Sequence, residues 1–90
     1  MKKSLKREIA EGIKKSLKVI NDNFKEGKMV SYKERGTNLH NSAMYLFHNG
    51  NLKVQQTVLR LTAYPEHYEM LLNNLNKLIE TTFRNSKIMD

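Results

Sequence analysis

Between Met1 and Lys18 the chain carries Lys2, Lys3, Lys6, Arg7, Lys14, Lys15 and Lys18, opposed only by Glu8 and Glu11. Five of the seven net positive charges of this 90-residue protein therefore lie on one segment. Ammonium and guanidinium groups gathered on one element neutralise phosphates and release their counterions, which gives affinity for a polyanion without reading its sequence. Lys33 and Arg35 add charge further along, and Lys53 and Arg60 add more in the second half. The residue types thus point to a nucleic-acid phosphate backbone. The expected contact set is Lys3, Arg7, Lys14, Lys15, Lys18, Lys33, Arg35, Lys53 and Arg60, with the N-terminal residues as its main ridge. On this reading, reversing Lys14, Lys15 and Lys18 to Glu abolishes binding without unfolding the chain.

Residues that could carry a reaction are sparse. His40, His48 and His67 do not recur at ligand spacing, and there is no cysteine, so neither a thiolate metal site nor a disulfide framework is available. Glu8 and Glu11 stand among lysines as intrahelical partners rather than as an acid–base pair. Gly36 and Gly50 form no phosphate-cradling glycine pattern, and no serine has a nucleophile-elbow context. The expectation is a non-enzymatic protein with no catalytic residue, no metal and no cofactor. One stretch supports an alternative. Arg35, Thr37, Asn38 and His40 in the polar run to Ser42 are of the types that hold a phosphate and move a proton, as in a small ribonuclease acting through His40.

The elements that position these residues follow from apolar spacing. Ser4 is an N-cap, and Leu5, Ile9, Ile13, Leu17, Ile20 and Phe24 recur every three or four residues, which predicts an amphipathic helix closed at Gly27. Lys3, Arg7, Lys14 and Lys18 fall toward its opposite arc. Lys28 to Glu34 alternates around Val30 and Tyr32, as in a short strand, and Arg35 to Ser42 reads as a loop. Ala43 to His48, with Tyr45 and Phe47, reads as a second strand. Asn49-Gly50 then suits a type I′ hairpin turn, with a return strand from Asn51 to about Ala63. In that register Tyr45, Phe47, Leu52, Val54 and Val58 face the core. Met44, Leu46, Leu59 and Leu61 fall on the other face, unless a bulge near Gln55-Gln56 switches the pattern. Pro65 opens a last helix carrying Tyr68, Leu71, Leu72, Leu75, Leu78, Ile79 and Phe83.

These elements give an α+β fold in the order α-β-β-β-α. A three-stranded antiparallel sheet has both helices packed on one face, in a single domain over 1–90 with a frayed tail at 84–90. The order is similar in layout to the double-stranded-RNA-binding domain and to small RNase toxins. Pro65-Glu66-His67-Tyr68-Glu69 stands where the former carries a lysine cluster, and Gly36-Thr37-Asn38-Leu39-His40 resembles the glycine and histidine motif of the latter. This likeness alone implies RNA over DNA.

Other partners remain open. A basic chain without a catalytic constellation also fits an accessory protein of a phage or mobile element. It would bind and modulate a host protein, for example as an RNA-binding toxin inhibitor. The half-apolar second sheet face, or the leucine stripe of the last helix, could form a homodimer. No apolar run reaches the length of a membrane span, and charges interrupt the start, so a cytoplasmic protein without a membrane partner is expected.

Overall fold

Leu39, Ala43 and Leu46 are spaced i, i+4, i+7, and so are Val54, Val58 and Leu61; all six are buried. That is the period of a helix with one apolar face. In the computed structural model, which describes residues 4–86, both segments are helical and no strand occurs among the described residues. Four helices follow one another: α1 (Leu5–Lys25), α2 (Asn38–Asn49), α3 (Leu52–Ala63) and α4 (Tyr68–Ser86). Short 3₁₀ turns at Met29–Ser31 and Pro65–His67 lie in the links.

The first three helices start where the sequence supplies a cap. The Ser4 Oγ accepts the Arg7 N–H at 3.2 Å, the Thr37 Oγ1 accepts the His40 N–H at 3.1 Å, and the Asn51 Oδ1 accepts the Val54 N–H at 3.0 Å. Just beyond α1, Gly27 takes φ +72°, the left-handed conformation that releases the chain from the helix.

Side-chain contacts set the topology. Tyr45, late in α2, donates to the Ile9 carbonyl early in α1 at 3.5 Å. Gln55, early in α3, donates to the Phe47 carbonyl late in α2 at 2.9 Å. Asn21 of α1 exchanges amide hydrogen bonds with Asn76 of α4. Sequential neighbours therefore run antiparallel, and α4 closes against α1. Backbone contacts join α1 to α2 and α4, and α3 to the same two helices, which leaves α1 opposite α3. Ile20, Leu46, Val58, Leu61 and Leu75 fill the centre of this up-down-up-down bundle with less than 2 % of their surface exposed.

The expected α+β sheet, with its two helices on one face, is thus replaced by an all-helical bundle, and there is no α–β sandwich. Asn49-Gly50 makes no hairpin. Asn49 ends α2, and Gly50 has a negative φ of −89° and donates its N–H to Leu46 at 2.8 Å. Asn51 then caps the next helix. Two features made these segments look like strands. Tyr45 and Phe47 alternate over a window too short to separate a period of 2 from 3.6. The Asn-Gly pair has turn chemistry, and two abutting caps use the same residue types. The apparent bulge at Gln55-Gln56 marks the wrong period: read as helix, Val54, Val58 and Leu61 need no bulge.

Burial corrects the two sheet faces as well. Leu46 and Leu61, expected on the second face, lie in the core, whereas Leu52, expected in the core, is exposed. The segment Lys28 to Glu34 is a 3₁₀ turn with loop on either side, whose Tyr32 is buried and donates to the Val58 carbonyl at 3.1 Å. The two terminal helices form as expected, except that Pro65 opens a 3₁₀ turn and α4 itself begins at Tyr68. In α4, Leu71, Leu72, Leu75 and Ile79 pack into this chain's own core. Arg84, placed in the frayed tail, is helical, and residues 87–90 lie outside the described residues. Among the described residues no helix is long and apolar enough to cross a membrane.

Candidate functional site

Lys53, Thr57 and Arg60 recur at spacings of four and three, so on a helix they share one flank. Asn74, Lys77 and Thr81 do the same on α4. The antiparallel pairing of α3 with α4 turns these flanks toward each other across an open groove of about 760 Å³. Asn51, Lys53, Gln56, Thr57 and Arg60 line it from the α3 side. Asn74, Lys77, Leu78, Thr81 and Thr82 line it from α4.

The groove holds three cations and no carboxylate. Among the described residues, none of Lys53, Arg60 and Lys77 has a carboxylate within 4.0 Å. The hydroxyls of Thr57 and Thr82 donate to the Lys53 and Leu78 carbonyls at 2.9 and 2.8 Å, so toward a ligand they act as acceptors. Asn51 uses its side-chain oxygen for the α3 cap and keeps its amide N–H groups for a ligand. With the guanidinium of Arg60, two ammonium groups and three side-chain amides, the groove is rich in donors and positive in potential. Such a surface matches the oxygens of a phosphate or another anion.

The expected contact residues do not form one surface. Lys53 and Arg60 meet in the groove. Lys77, which completes it, was not among the expected set, yet its spacing from Asn74 and Thr81 was visible once α4 was recognised. On α1 the ridge is largely engaged within the protein. Arg7 faces Glu11 at 3.8 Å, Lys18 bonds Asp22 at 3.0 Å, and Lys14 lies over the ring of Phe83, 5.0 Å from its centre. Lys15 is exposed on the same helix. Lys33 borders an apolar hollow beside Phe24, Met29 and Tyr68, and Arg35 is exposed in the turn before α2. Lys3 lies outside the described residues.

The polar run from Arg35 to Ser42 is not a loop throughout; from Asn38 it is the first turn of α2. Thr37 caps that turn and donates its hydroxyl toward the Glu34 and Ser31 carbonyls at 2.8 and 3.2 Å. His40 Nδ1 lies 3.1 Å from the Tyr32 carbonyl, which can only accept, so Nδ1 carries the proton. These groups tie the α1–α2 connection to the bundle. No group of three or more His, Cys, Asp or Glu side chains suited to a metal ion occurs among the described residues.

Comparison with protein-family models, with curated proteins and with solved structures finds no match for this chain.

Proposed function

We propose that this protein binds nucleic acid without catalysis, holding the phosphodiester backbone along the α3–α4 groove. The observation that carries the reading is the convergence of Lys53, Arg60 and Lys77 on one concave surface that no carboxylate lines. The excess positive charge of the whole chain supports it by drawing a polyanion toward the surface. The α1 ridge contributes to this long-range field, while the direct contacts belong to the groove. An expectation of RNA over DNA rests on an αβββα layout that the chain lacks, so the proposal covers both. Nucleic acid of either kind would be met in the cytoplasm, the compartment the composition favours.

The test is binding of a labelled oligonucleotide as salt is varied. Three phosphate contacts give log K falling against log salt with a slope of roughly −2 to −3. Replacing Lys53, Arg60 and Lys77 together by Gln is expected to remove binding and leave the helical circular dichroism intact. A folded triple variant that binds as wild type overturns the proposal.

A further inference from the structure

The α3–α4 groove continues into a second hollow of about 500 Å³, with which it shares Asn74 and Lys77. The character of the wall changes there. Glu66, His67, Glu69, Met70 and Asn73 take the place of Lys53 and Arg60, and Lys77 alone of the groove cations remains. His67 belongs to a ring pair: its centre lies 6.1 Å from that of Tyr64, at an interplanar angle of 48°. Tyr64 follows Arg60 by one helical turn and donates its backbone N–H to the Arg60 carbonyl at 2.8 Å. Its ring is half-exposed, as is Met70. The positive groove thus ends at His67 and Met70 between two carboxylates, and the exposed Tyr64 ring adjoins His67 as a ledge outside the residues that line the hollow.

A phosphate chain cannot favourably run past Glu66 and Glu69. Whatever enters the hollow from a backbone seated on Lys53, Arg60 and Lys77 must not be anionic, and a flat group suits the His67 ring. It must also present hydrogen-bond donors to the carboxylates and both donors and acceptors to Asn73. A nucleobase has those properties: its face stacks on an aromatic ring, and its amino groups donate to carboxylate oxygens. In a duplex that face is covered by neighbouring pairs and the pairing edge is occupied. An unpaired base alone can swing out to the ledge. Resting on the reading of the groove as a phosphodiester site, the geometry points to single-stranded nucleic acid as the ligand. Its phosphates lie on Lys53, Arg60 and Lys77, and one base sits against Tyr64 and His67.

The experiment is fluorescence anisotropy of the full chain with three labelled probes of equal length. These are a mixed-sequence single strand, its duplex, and an abasic strand with the same number of phosphates. The single strand is expected to bind about tenfold more tightly than the abasic strand, the scale of one base stacked on an aromatic side chain. It should also exceed the duplex. Tyr64→Leu, which keeps apolar bulk without a ring face, is expected to bring the single strand down to the abasic level at an unchanged salt slope, and Tyr64→Trp to restore the difference. Thermal melts of each variant confirm folding. Equal binding of the single and abasic strands, or of the single strand and duplex, overturns the base ledge. So does wild-type affinity in a folded Tyr64→Leu variant, while salt-dependent binding lost on neutralising the groove cations leaves the groove reading intact. Failure of wild type to bind any of the three probes overturns both.

Discussion

The ammonium of Lys14 lies 5.0 Å from the centre of the Phe83 ring, bridging α1 to the end of α4. In sequence, Lys14 belongs to a row of cations; in the fold it is part of the seam between two helices. A cation over an aromatic face at a partly exposed site contributes about 0.5–1 kcal/mol. A double-mutant cycle of Lys14→Gln with Phe83→Leu should return a coupling energy of that size in urea denaturation. Lys14→Gln should also leave the salt dependence of oligonucleotide binding close to wild type, while Lys77→Gln reduces the slope by roughly one contact. A loss of slope in Lys14→Gln equal to that in Lys77→Gln would move the interface onto α1.

Gly50 is required by crowding rather than by backbone conformation. Its φ is −89°, open to any residue, but a Cβ there would stand 2.7 Å from the Leu46 carbonyl oxygen and overlap the side chain of Val54. The carbonyl is backbone and cannot turn aside. Gly50→Ala should therefore destabilise the bundle by about 1–3 kcal/mol, as overpacking does in a well-filled interior. Adding Val54→Ala to it removes the Cγ1 overlap but leaves the Cβ of residue 54 and the Leu46 carbonyl oxygen, each 2.7 Å from the new Cβ. Chemical denaturation of the single and double variants checks this. A Gly50→Ala protein as stable as wild type would show that the α2–α3 junction opens at little cost.

The terminal helices were legible because each presents an apolar stripe over many turns, from Leu5 to Phe24 and from Tyr68 to Phe83. The middle of the chain was not. α2 and α3 are each 12 residues long and separated by Gly50 and Asn51 alone. Over such lengths, Tyr45 and Phe47 satisfy strand alternation while Leu39, Ala43 and Leu46 satisfy helical spacing, and burial alone shows which set is the core. Half of the groove was legible for the same reason. Lys53 and Arg60 were expected contacts on charge alone, but their shared flank, and Lys77 opposite, exist only when residues 52–63 are helical. On α1, spacing shows where the cations cluster, not which carboxylate or ring lies beside each of them.

Asn21 and Asn76 face each other across α1 and α4 with two reciprocal N–H to O bonds of 3.1 Å, and Asn76 also donates to the Leu72 carbonyl at 2.7 Å. Both are partly buried. Truncating one leaves the other amide without its partner in a place water reaches poorly, which costs about 1–3 kcal/mol. Asn76→Ala and Asn21→Ala should each destabilise by that amount, and the double variant by less than the sum of the two. Strict additivity in urea melts would show that the two amides act independently.

Tyr32 makes stability depend on alkaline pH. Its phenol is 3 % exposed and donates to the Val58 carbonyl at 3.1 Å. Burial pushes its pKa well above the ordinary tyrosine value, the nearby Tyr68 adds to the rise, and a hydrogen bond with the Thr62 side chain opposes it. Burial raises Tyr68 as well. The unfolded chain gives up these protons near pH 10, the usual tyrosine range, while the folded chain holds them to higher pH. Above that pH the unfolded state binds fewer protons than the native state, so stability falls as pH rises; below it the contribution is fully present. Tyr32→Phe removes the proton and the hydrogen bond together. At pH 8 the variant should be less stable than wild type by about 1 kcal/mol. Between pH 9 and pH 11 the gap should narrow, because wild type alone loses the Tyr32 contribution; lysine titration is common to both proteins and cancels. Urea melts at pH 8, 9, 10 and 11 measure the gap directly. Parallel curves over that range would mean that the Tyr32 phenol ionises in the folded chain as it does in the unfolded one.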